Sequence, residues 1–173
     1  MTATQHAPQP VTTAAAGGSG LVVVGVDGSP AAHRALLFAI AEAQLRRAVL
    51  RIVSSHDLVT LTAGYAGAWA PVPFDDGLRQ ATATIAADAQ ALAVRMTAND
   101  PLTVEVRVVD GHPSDALLEA SQGADLLVVG SRGAGALSRM MMGSTCTEIV
   151  HHSHIPVAVI PARERLTPSA GVN

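Results

Sequence analysis

A chain of 173 residues that is 49% apolar has the length and the aliphatic content for one domain with a real core. Aromatic residues make up 2% and the formal charge is −3, which removes both the stacking surface and the basic footprint of a nucleic-acid binder. Lysine is absent, so Schiff-base chemistry and a lysine-dependent phosphate loop are excluded, and every fixed cation is an arginine.

Residues 1–20 are rich in Ala, Thr, Pro and Gly without periodicity and read as a disordered tail; residues 162–173 read as a second, flexible one. Residues 21–161 are then the folded domain. The opening segment lacks the basic start and apolar centre of a secretory signal, and no run approaches the roughly 20 apolar residues of a membrane span. Cys146 is a single cysteine and cannot close an internal disulfide. A soluble, cytoplasmic protein with no membrane contact is expected.

Within the domain, short apolar runs alternate with longer helical patterns, the signature of βα units and a parallel sheet. LVVVGV (21–26) predicts the first strand. A helix follows, with Ser29 as N-cap, Pro30 in its first turn and Leu36, Ala39, Ile40 and Ala43 at helical spacing. AVLRIV (48–53) predicts the second strand, and a second helix from near Asp76 carries Leu78, Ile85, Leu92 and Met96 on one stripe. Between them, residues 55–75 exceed an ordinary βα connection and hold the sole Tyr and Trp, so this segment is expected to flank a site. LTVEVRVV (102–109), a helix from Pro113, DLLVVG (125–130), a helix from Ser144 and PVAVI (156–160) complete the series.

Right-handed crossovers that cover both faces of such a sheet require the chain to wind one way and then the other. The expected order is 3-2-1-4-5, a five-stranded parallel sheet in a three-layer α/β sandwich. Strands 1 and 4 are then neighbours, and their exits diverge across the crevice where open α/β sheets bind ligands.

Two stretches meet at that crevice. One is GSRGAGALSRMMMGST (130–145), where Gly130, Gly133 and Gly143 let backbone amides converge and Ser144 can cap the following helix. Converging amides, the positive end of a helix and the hydroxyls of Ser144 and Thr145 favour an anion, phosphate above all. The same glycines also suit a plain connecting turn. The other stretch is VVVGVDGSP, which sets Val26 and Asp27 at the strand exit and Gly28 and Ser29 in the turn. An aspartate beside phosphates either accepts hydrogen bonds from a ribose or shares a divalent cation with them. It can equally cap the helix. At the third strand's exit, VVDGHPSDAL places Gly111 where it can line a sugar or simply turn the chain.

VVVGVDGS, VVDGHP and the Gly-x2-Gly-x9-Gly-Ser spacing occur together and in order, and with them the chain resembles the universal stress protein family, specifically its ATP-binding branch. The resemblance covers residues 20–161 and implies a flavodoxin-like, Rossmann-like fold, a homodimer and a nucleotide at the crevice. It implies Gly130 against the ribose and α-phosphate, and Gly133, Gly143 and Ser144 on the phosphate chain. Asp27 would touch the ribose or Mg²⁺, and Ser55 would offer main-chain groups to adenine. Ser131, Arg132 and Thr145 are secondary contacts, Arg132 as a cation near phosphate. The implied function is an ATP-binding stress-response and signalling module. Cyclic AMP binding is the alternative, and so is slow ATP hydrolysis, for which His112 is the nearest spare acid or base.

The remaining constellations read as structural. Met140, Met141 and Met142 read as gap-filling apolar residues, HHSH (151–154) lacks a completing ligand for a metal, and Cys146 reads as buried. The last strand is apolar and at the sheet edge, which invites pairing with another chain. The resemblance implies that strand as the dimer contact.

Overall fold

Runs such as LVVVG do not alternate in polarity because helices cover both faces of a parallel strand. The computed structural model describes residues 20–56, 75–132 and 142–161. Its strands are β1 (Leu21–Gly25), β2 (Val49–His56), β3 (Val104–Asp110), β4 (Leu126–Gly130) and β5 (Val157–Ile160). The helices are α1 (Pro30–Arg46), α2 (Asp75–Met96), α3 (Pro113–Ala120) and α4 (Ser144–His152). All pairings are parallel in the order β3-β2-β1-β4-β5, as expected.

The pleat divides the core. Val22 and Val24 of β1 join Leu50, Ile52, Leu126 and Val128 beneath α1 and α2. Val23 turns the other way, with Val53, Leu127 and Val129, against Leu117 of α3 and Ile149 of α4. The alanines of α1 at positions 31, 32, 35, 39 and 43 are all buried, which lets the helix backbone approach the sheet closely. Ser29 caps that helix, accepting from the Ala32 amide at 3.1 Å, and Pro30 stands at its start as the sequence predicts. Arg47 ends it in the left-handed region at φ 51°, its amide donating to Gln44.

One difference from expectation bears on the site. β2 does not stop at Val53 but runs three residues further, with Ser54, Ser55 and His56 opposite Val108, Val109 and Asp110 of β3. Ser-Ser-His has loop composition, but the ladder with β3 holds it in register, and the Ser54 hydroxyl donates to the Val26 carbonyl at 2.9 Å. Ser55 is therefore a strand residue and not the opening of the long connection. Residues 57–74, including Tyr65, Trp69 and Phe74, lie outside the described residues.

Candidate functional site

β1 and β4 are hydrogen-bonded neighbours, Val22 opposite Leu126 and Val24 opposite Val128, so Asp27 and Ser131 leave the sheet side by side. At the β1 exit the Asp27 carboxylate accepts the Ser29 amide at 2.9 Å through Oδ1. Gly28 sits between them at φ 78°, a conformation that disfavours any side chain. The Ser29 hydroxyl reaches across the crevice to the Arg132 carbonyl at 3.4 Å while capping α1. Ser29 is thus buried and committed to the walls of the crevice, and Val26 lies buried below it.

At the β4 exit, Gly130 has a packing reason to be glycine. A Cβ there would come within 2.8–2.9 Å of Ala31 and of the Ala32 nitrogen, in the first turn of α1. Ser131 then donates to the Ile160 carbonyl at 2.8 Å and accepts the Gly143 amide at 2.9 Å. That second bond brings the start of α4 back beside the strand it follows, although eleven residues separate the two. Gly133, Met140 and Met141 lie outside the described residues.

The cap of α4 differs from expectation. Gly143, not Ser144, is the N-cap, and as a glycine it brings no side chain to bond the helix start. Ser144 is already helical, so its hydroxyl is not in capping geometry. The first backbone bond of the helix runs from Thr147 to the Gly143 carbonyl. The amides of Ser144, Thr145 and Cys146 precede it, at the positive end of the helix dipole, and Ser144 is exposed. This is the chemistry of an anion site.

Ser55 is the residue expected to offer main-chain groups to a base. Successive residues of a strand turn their peptide groups to opposite neighbours, and the Val53 carbonyl bonds Val26 while the His56 carbonyl bonds Gly111. The Ser55 peptide groups therefore face the β1 side, where β1 has already ended. Gly111, at φ 125° and exposed, turns the chain from β3 into α3, and among the described residues no atom beyond its chain neighbours stands within 4 Å of where its Cβ would be.

Two polar clusters on the same edge were not read from the sequence as units. His56 Nε2 lies 2.7 Å from Asp110 Oδ1, close enough for an ion pair though not aligned as a hydrogen bond, and Arg79 of α2 meets Asp110 Oδ2 at 2.8 Å. On the other face, buried Ser114 of α3 joins His112 and Glu148 of α4. His112 and Ser114 are two residues apart in the sequence, but Glu148 is brought in only by the packing of α4 on α3. Cys146 is buried in that packing, and burial raises its thiol pKa. No group of three His, Cys, Asp or Glu side chains gathers among the described residues. A divalent ion at Asp27 would therefore depend on phosphate oxygens for much of its shell, as Mg²⁺ commonly does.

The family model for the universal stress protein family matches residues 20–161. A universal stress protein of Mycobacterium tuberculosis is 32% identical over 156 residues, covering 85% of this chain and 50% of that protein. A second from the same organism is 30% identical, with 83% and 49% covered. The chain thus spans about half the length of the curated relatives it matches. Among solved structures, universal stress protein UspA from Lactobacillus plantarum superposes with a TM-score of 0.65 at 25% identity, covering 84% of this chain and 99% of its own. A universal stress protein in complex with cAMP superposes at 0.61 with 28% identity, covering 85% and 100%.

Proposed function

The chain belongs to the universal stress protein family, and from that premise we propose that it binds an adenine nucleotide, ATP foremost, between the exits of β1 and β4. One observation carries the reading. The Gly143 amide on the Ser131 carbonyl, at 2.9 Å, sets the start of α4, whose N-cap is a bare glycine, against the β4 exit and opposite Asp27. The triphosphate lies on the amides of Ser144, Thr145 and Cys146 with the Ser144 and Thr145 hydroxyls beside it. Gly130, Ser131 and Arg132 form the wall beneath. The main chain of Ser55 meets adenine, Gly111 flanks the sugar, and Asp27 takes the ribose hydroxyls or, through Mg²⁺, the phosphates.

In this reading the protein is a cytoplasmic stress-response and signalling module. It is a homodimer through β5, the end strand of the sheet among the described residues, where Val157 to Ile160 are half-buried in one chain. The measurement that tests the site is mass analysis of whatever the purified protein releases on denaturation, with calorimetric titration of ATP into the emptied protein. A retained or titratable adenylate supports the site, and G143V and D27A should each weaken it at least tenfold. Wild-type protein that neither releases nor takes up an adenine nucleotide ends the proposal.

Cyclic AMP is the second reading, favoured by the 28% identical structure in complex with cAMP. The same helix start accommodates one phosphate as readily as three. Competition between ATP and cyclic AMP in one titration ranks them.

A further inference from the structure

The cluster between α3 and α4 has a proton inventory that can be worked out. Ser114 Oγ is 2.5 Å from Glu148 Oε2 and 2.6 Å from His112 Nδ1. A hydroxyl has one proton, and an ionised carboxylate only accepts, so that proton goes to Glu148. The same oxygen then meets His112 with lone pairs alone. Nδ1 must therefore carry a hydrogen, and in the neutral ring Nε2 is left as the bare acceptor. His112 Nδ1 is also 3.5 Å from the carboxylate itself, so both partners act on one ring nitrogen. Ser114, the middle member, is 3% exposed and so is closed to a ligand itself. The His112 side chain is 39% exposed, and among the described residues nothing bonds its Nε2.

His112 holds the N-cap position of α3, without a side-chain capping bond, directly after the β3 exit on the carboxyl edge of the sheet. Ser55 is on the adjoining strand, and its side chain shares the α3 face with Arg51, whose Nη1 donates to the Ala120 carbonyl of α3. A bare imidazole nitrogen cannot pair with a phosphate oxygen, because both are acceptors. The donors of an adenine nucleotide are its ribose hydroxyls and its 6-amino group.

We infer that Ser114 and Glu148 are positioning residues that hold His112 with its proton on Nδ1, so that Nε2 accepts a hydrogen bond from the nucleoside half of the bound nucleotide. The inference rests on the nucleotide-binding reading above and names a ligand contact that the glycine motif does not contain.

The test is a titration with ATP at mildly alkaline pH, using wild type, H112Q and H112N. Glutamine carries an amide oxygen to the place of Nε2, whereas asparagine reaches only that of Nδ1. H112Q should keep affinity within about twofold, and H112N should lose about three- to tenfold, the worth of one hydrogen bond. That loss should vanish with one of 2′-deoxy-ATP, 3′-deoxy-ATP and the purine analogue lacking the 6-amino group, which identifies the donor. Nitrogen-15 NMR of the ligand-free protein should show His112 protonated on Nδ1, and E148Q, altered at a half-exposed position, should move the ring toward the other tautomer. Equal ATP affinity for wild type and H112N overturns the inference, as does a wild-type ring protonated on Nε2 alone. A wild type that binds no adenine nucleotide overturns the nucleotide reading itself and takes this contact with it, an outcome separate from either of those.

Discussion

Replacing Gly130 by alanine isolates what that glycine does for the fold. The added Cβ would stand 2.8 Å from the Ala31 carbonyl carbon and 2.9 Å from the Ala32 nitrogen, inside contact distance of helix backbone that cannot rotate away. Overpacking of this kind costs about 1–3 kcal/mol. In a domain of this size each kcal/mol lowers Tm by about 2–4 °C, so G130A should melt roughly 2–12 °C below wild type. Gly25 supplies the control, because its Cβ would meet Leu117 Cδ1 at 2.9 Å, a contact of similar length with the far end of a flexible side chain. Leu117 can change rotamer, and G25A should cost less than about 1 kcal/mol. Thermal and urea unfolding of both variants without nucleotide is the assay. If G25A is as costly as G130A, or if G130A unfolds like wild type, then backbone proximity to α1 is not what demands glycine there.

Three further outcomes are expected. S29A removes the cap of α1 and the link to the Arg132 carbonyl, and should lower stability in urea by about 1 kcal/mol. Cys146 has its thiol pushed above the ordinary value of 9.0 by burial, so the unfolded state loses its proton first as pH rises. Its contribution is intact below that value and declines above it; accordingly C146A should flatten the alkaline fall of stability, and wild-type Cys146 should react with a thiol reagent only as fast as the fold opens. R51M breaks the 2.8 Å pair with Glu105 and the 2.8 Å bond to the Ala120 carbonyl, at an expected cost of about 1–3 kcal/mol seen in the same urea experiment.

Strand order was legible because it follows from chain order, crossover hand and the need to cover two faces, and the runs beginning at Leu21 and Asp125 announce buried parallel strands by their lack of alternation. The start of α1 was legible for a local reason, since Ser29 and Pro30 act on the turn they begin. Non-local effects were not. Ser54, Ser55 and His56 are polar, and only their pairing with β3 makes them strand. Ser144 has capping chemistry, but the chain enters the helix one residue sooner, at Gly143, because that amide is drawn to Ser131. Glu148 lies 34 residues from Ser114, and no spacing rule links them. Gly130 was expected against the ribose, whereas the described contact that requires a glycine is with α1.

The bond between Ser131 and Gly143 closes the intervening stretch at its base, so the fold meets that stretch through two fixed posts. Closing entropy grows only logarithmically, about 0.6 kcal/mol for each doubling of length. With closure this insensitive to length, it is the bond between the posts that fixes how β4 and α4 meet, so a change at Ser131 or Gly143 is felt in both elements at once.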